Sequence, residues 1–125
     1  AVGDVRQAHH IIPWERRGHD LVQKAAAGGF HMNHPGNGMA LDAFRVTTGT
    51  GVHANHPQYN QQLFELLNEL ETQLNNYYGA SNVTPQMAAD KLIELQNNIS
   101  NFISLNSGTK INDLQFSSTI LPSVP

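Results

Sequence analysis

Cysteine is absent from the 125 residues. That excludes a disulfide scaffold, a thiolate zinc site and a cysteine nucleophile. No run approaches the roughly 18 apolar residues of a membrane span, and the first residues do not follow a signal-peptide pattern. An excess of positive charge is also missing. Seven Lys and Arg stand against ten Asp and Glu, a net charge of -3 with neutral histidine. A generic DNA-coating protein would be basic, so that class is disfavoured. What is present suffices for one small core, since 39% of the residues are apolar. The length fits one domain, 1–125. Ala1 rather than methionine opens the chain, as expected of a piece cut from a longer protein.

The charged and titratable residues are unevenly spread. All seven histidines lie within the first 56 residues: His9, His10, His19, His31, His34, His53 and His56. Residues 1–60 also hold five cations (Arg6, Arg16, Arg17, Lys24, Arg45) against four anions (Asp4, Glu15, Asp20, Asp42). The remainder has Lys91 and Lys110 against Glu65, Glu69, Glu71, Asp90, Glu94 and Asp113. A slightly basic front is thus joined to an acidic back without histidine. Chemistry is expected in 1–60, and helical support or partner binding in 61–125.

The back half has the clearer pattern. Tyr59, Leu63, Leu66, Leu67, Leu70, Leu74 and Tyr77 recur at spacings of three and four, which predicts a helix opened by Pro57 and stopped by Gly79. Thr84 and Pro85 begin a second helix, with Ala88, Leu92, Leu95, Ile99 and Phe102 on its apolar face. The short loop between them predicts an antiparallel pair. The tail from Lys110 reads as a strand or an ordered extension. In the front, Val5 to Ile12 reads as extended up to Pro13, and a helix is expected over Trp14 to Ala27. Phe30 to Asn33 and Met39 to Leu41 read as strands of a hairpin around Asn37-Gly38, and Thr47 to Gly51 as a flexible loop.

Three groups in the front carry chemistry. His9 and His10 are neighbours at the end of a strand, so their rings point to opposite faces and take different roles. Asn37 sits in a turn between strands. His53 and His56 are three apart at the start of the long helix, where they can face the same side. One metal can take nitrogen ligands from His9, His53 and His56 and keep open positions, which suits catalytic zinc or nickel. Magnesium stays open as well, because substrate phosphate supplies oxygens. His10 can then take a proton from an attacking water, since a free imidazole titrates near neutral pH. Arg16, Arg17 and Arg45 are candidates for phosphate contact or for solvated surface. His19, His31 and His34 are expected to be surface or packing residues.

Ala8-His9-His10-Ile11-Ile12-Pro13 resembles the signature of the AHH nucleases, within the HNH/endonuclease VII group and its ββα-metal (His-Me finger) fold. Gly29-Phe30-His31-Met32-Asn33 followed by Asn37-Gly38-Met39-Ala40-Leu41 resembles the family's middle motif. Val52-His53-Ala54-Asn55-His56-Pro57-Gln58-Tyr59-Asn60 resembles its closing motif. The resemblance implies an α+β fold: a small ββα-metal core with the two amphipathic helices added. It implies that His9 is a metal ligand, that His10 is the general base and that Asn37 holds the hairpin and orients His10. His53 and His56 would be the remaining ligands, or one of them would contact the phosphate. The cofactor would be one divalent ion: zinc, nickel or magnesium. The implied activity is DNA hydrolysis, with RNA cleavage on the same scaffold or a non-catalytic metal-binding module as alternatives. Such domains are typically C-terminal modules of bacterial polymorphic toxins. The resemblance therefore implies a secreted or injected effector acting in the target-cell cytoplasm, a cognate immunity protein and no membrane segment in the mature domain.

Overall fold

In the computed structural model, residues 6–33, 35–42 and 56–125 are described. Strand β1 (Arg6–His10) is followed by a 3-10 turn at Trp14–Arg16 and by helix α1 (Asp20–Ala27). Another 3-10 turn, Pro35–Asn37, leads into strand β2 (Gly38–Asp42). Helices α2 (Pro57–Tyr78) and α3 (Pro85–Leu105) come next, joined through a 3-10 turn at Ala80–Asn82. The tail holds two further 3-10 turns, Ile111–Asp113 and Ser118–Ile120. Helices beside one small sheet make an α+β architecture.

The sheet is an antiparallel pair running from Arg6 opposite Asp42 to His10 opposite Gly38. A two-stranded ribbon is marginal by itself and must lean on other elements. Ile11 and Ile12, directly after β1, supply that anchor and are fully buried. They join one contiguous core with Leu21, Val22 and Ala25 of α1, the leucines of α2 and the apolar face of α3.

The front differs from the sequence expectation in two places. The helix expected over 14–27 divides. His19 is extended (φ -62°, ψ 139°), and its Nδ1 accepts the Leu21 N–H, so α1 starts only at Asp20. His19 Nε2 also lies 2.7 Å from Asn68 Oδ1 and ties this start to α2. Secondly, Phe30 to Asn33 is not a strand, and β2 pairs with β1 instead. Phe30 and Met32 are buried while His31 and Asn33 are exposed, an alternation that mimics a strand. Their backbone bonds go elsewhere. Gly29 N–H donates to Ala26 O and Phe30 N–H to Ala25 O, closing α1 with the paired bonds of a Schellman motif. Gly29 has φ +100°, which only glycine adopts without strain. The expected Thr47–Gly51 loop lies outside the described residues.

The back follows its periodicity closely. In α2, Tyr59, Leu63, Leu66, Leu67, Leu70 and Leu74 are buried, and Gly79 ends the helix at φ +88°. Tyr77 departs from the expected stripe and is 60% exposed. Tyr78 turns inward in its place, with its hydroxyl donating to Val124 O. Thr84 Oγ1 accepts the Met87 N–H and caps α3. Ile103 is buried at the far end of that helix, while Phe102 is only partly covered.

The tail is an ordered extension rather than a strand. Ile111, Leu114, Ile120 and Val124 enter the core. Polar side chains on the helices hold its backbone: Gln62 Nε2 donates to Leu114 O, and Asn98 Nδ2 to Ile120 O.

Helices α1 and α3 meet closely because small residues line the contact. Ala25, Ala88 and Ala89 are buried there. A Cβ on Gly28 would fall 2.3 Å from Pro85 O, a backbone atom that cannot step aside. Gly28→Ala should therefore destabilise the chain by about 2 kcal/mol, a melting temperature roughly 8 °C lower. Gly18→Ala has nothing within 4 Å and should melt like the wild type.

Candidate active site

The two histidines at the end of β1 are sorted by the strand's alternation. His9 turns inward and is 2% exposed. Its ring stands edge-on to His56, with centroids 5.2 Å apart, and to Tyr59 at 4.9 Å. His10 turns outward and is half-buried. Its Nε2 lies 3.0 Å from Asn33 Oδ1. A carboxamide oxygen only accepts, so Nε2 carries the proton and Nδ1 is the lone-pair nitrogen of the neutral ring.

His56 is the N-cap of α2, and Pro57 fixes the first turn after it. Its Nδ1 lies 3.0 Å from Asn60 Oδ1. That bond makes Nδ1 the donor and Nε2 the basic nitrogen. Arg16 Nε in turn donates to Asn60 O, at 3.1 Å. Tyr59 is fully buried, and its hydroxyl donates to Ile11 O, two residues beyond His9. The first N–H groups of α2 are met from the tail. Asn112 Oδ1 accepts from Gln58 N–H at 2.8 Å and from Tyr59 N–H at 3.3 Å. The segment from Lys110 thus holds the helix that carries His56.

Asn37 has no exposed surface, and its side chain makes three bonds. Oδ1 accepts the Ile12 N–H at 2.7 Å, while Nδ2 donates to Ile12 O at 3.1 Å and to Met32 O at 2.8 Å. Its own carbonyl accepts the Ile11 N–H at 2.8 Å. Asn37 therefore stitches the end of β1 to the segment that carries Asn33.

Of the residues singled out in the sequence, the structure sets His9 against His56, turns its neighbour His10 outward to Asn33, and bonds Asn37 to the backbone just after them. His53, Arg45 and His34 lie outside the described residues. Arg16 packs its guanidinium over Phe64, 4.9 Å from the ring centroid. Arg17 is exposed, stacks on Trp14 at 4.7 Å and donates to Trp14 O. His31 is exposed.

No trio of His, Asp and Glu able to hold a metal occurs among the described residues. The His9–His56 pair does fit as part of such a set. Two imidazoles that share an ion at about 2.1 Å, with a tetrahedral angle, have centroids roughly 5 Å apart. The observed spacing agrees, and Asn60 supplies the outer hydrogen bond that ligating histidines ordinarily have.

One family model matches the chain over residues 2–99, more than half its length. Its description reads: a nuclease family of the HNH/ENDO VII superfamily with conserved AHH. The chain belongs to the AHH nuclease family. Ala8-His9-His10 carries the three residues after which the family is called. The match runs well past the three motifs and into α3, so helices of the back half belong to the AHH unit. As a member of a nuclease family, the chain is a nuclease, and its substrate is nucleic acid. No curated protein and no solved structure matches it. No helix among the described residues is long and apolar enough to cross a membrane.

Sequence reasoning missed Asn33, Asn60 and Asn112. Asn60 follows the closing motif's tyrosine directly and was within reach of a pattern argument. Asn33 stands in the middle motif but its role was not readable, and Asn112 gave no signal, because each acts on a residue far away in the chain.

Two measurements test this framework. Asn37→Ala should cost about 3 kcal/mol, because two buried carbonyls and one N–H lose their partners. Its melting temperature should drop by roughly 12 °C. The second concerns Tyr59, whose phenol burial pushes well above its ordinary value of 10.0. The native state then keeps this proton where the unfolded chain gives it up. Stability should fall as pH rises past about 10, by up to about 1.4 kcal/mol per pH unit. Tyr59→Phe should lose less of its melting temperature than the wild type over that alkaline range.

Proposed function

We propose that the chain is a metal-dependent endonuclease that hydrolyses phosphodiester bonds of DNA, with β1, β2 and the start of α2 as its ββα-metal core. The observation that carries this reading is the division of labour at the end of β1. One imidazole is turned against a second, oriented imidazole, and its neighbour is turned outward with a defined lone pair. Family membership supplies the reaction class.

In this reading the scissile phosphate sits against His10, at the end of β1. His10 Nδ1 takes a proton from the attacking water as the new P–O bond forms. The ester P–O bond breaks on the opposite side, and the leaving oxygen takes its proton from solvent. Asn33 keeps His10 in the tautomer that presents Nδ1. Asn37 fixes the backbone between them, acting through other groups rather than on the substrate. His9, His56 and His53 would hold zinc, nickel or magnesium, which when bound supplies Lewis-acid stabilisation of charge on the phosphate and leaving oxygens. Exposed Arg17 and, outside the described residues, Arg45 are the cations offered to the phosphate backbone.

The biological reading follows the resemblance to toxin modules. The domain is an antibacterial effector, secreted or injected, that acts on DNA in the target-cell cytoplasm. The producing cell is protected by an immunity protein.

Plasmid DNA provides the test. The wild type should nick and linearise it, stop in chelator and resume when one of the three ions is restored. His10→Ala should cut at least 100-fold more slowly, the lower end of what a positioned general base contributes. Equal cutting by the two proteins would remove His10 from the mechanism. Degraded RNA beside intact plasmid would replace DNA by RNA as the substrate.

A further inference from the structure

A cleft of about 600 Å³ opens next to Asn33, the hydrogen-bond partner of His10. It lies within the range of roughly 300–1,000 Å³ typical of small-ligand sites. Its floor is apolar, with Phe30 and Met32 both buried, and its rim carries Trp14, Arg17, His31 and Asn33. Among the described residues, no carboxylate lines it. Trp14 is the chain's single tryptophan, and it is 46% exposed. Arg17 holds it in place twice, by stacking on the indole and by bonding to Trp14 O.

Two contacts join this cleft to the candidate base. Asn33, on the rim, is the residue bonded to His10 Nε2. The indole centroid lies 6.4 Å from that of His10, less than the length of two stacked nucleotides at about 3.4 Å each. A strand whose phosphate reaches His10 can therefore place a neighbouring base at Trp14. Arg17 covers one face of the indole, and the other face is one on which a base can stack, whatever its identity. A base paired inside a duplex has both faces covered and cannot use the indole until it leaves the stack.

We infer that the Trp14 cleft is a binding subsite for one unpaired nucleobase next to the bond being cut, with Trp14 as the stacking platform and Arg17 as its support. The inference rests on the nuclease reading of His10 and gives that site a preference for single-stranded or locally opened nucleic acid.

The test uses the whole chain in chelator and reads the intrinsic fluorescence of Trp14. A single-stranded thymidine hexanucleotide should quench it saturably. An abasic hexamer of deoxyribose phosphate should not, and a short duplex should do so more weakly. With a dye-labelled hexanucleotide, Trp14→Ala should bind roughly 10-fold or more weakly by anisotropy, and Trp14→Phe should recover most of that loss. Equal quenching by the abasic hexamer, or undiminished binding by Trp14→Ala, would overturn the subsite. If plasmid is still cut in either case, the subsite fails and the nuclease reading stands. Quenching that depends on the base, in a protein that cuts no nucleic acid with any ion, would keep the pocket but remove the reaction beside it.

Discussion

Three hydrogen bonds from one buried carboxamide hold the front of this molecule together. The turn after β1 must present two histidines in fixed directions, yet a two-stranded ribbon has little stability to spare for that task. Asn37 meets the demand by satisfying both polar groups of Ile12 and the carbonyl of Met32. Left alone in the interior, each of these groups would cost free energy. The bonds bring the end of β1 against the segment with Asn33, and from there follow the tautomer of His10 and the wall of the neighbouring cleft. Ile11 and Ile12 enter the core from the same point, so the strand end is pinned by both polar and apolar contacts.

The second anchor lies at the start of α2. His56 faces His9, and its orientation passes through Asn60 to Arg16, which extends over Phe64. Arg16 thus holds the backbone of the residue whose side chain orients an imidazole. A buried tyrosine closes the arrangement, because Tyr59 touches His9 and His56 with its ring and Ile11 with its hydroxyl. The histidine pair is enclosed by groups that come from three separate stretches of the chain.

Much of this was legible in the sequence, for identifiable reasons. The helices α2 and α3 announced themselves through apolar spacing, a proline at each start and glycine or threonine at the boundaries. Adjacent histidines at the end of an extended run implied opposite faces, and the burial of His9 against the outward turn of His10 matches that. The misreadings were equally physical. Phe30 to Asn33 alternates like a strand because two of its side chains must reach the core, but its backbone is already used by the α1 cap and by Asn37. The break at His19 depends on an imidazole acting as a cap, which propensity does not foresee. The roles of Asn33 and Asn112 stayed hidden because a carboxamide's partner is set by the folded arrangement, not by its neighbours in sequence.

The family model stops at residue 99, whereas the oxygen that closes the first turn of α2 belongs to Asn112. The packing that supports α2 therefore extends past the recognisable family unit. A chain trimmed to the recognisable part would keep every histidine and still leave two N–H groups beside His56 to water. The stretch beyond α3 has no motif, but it holds the floor on which the imidazoles stand.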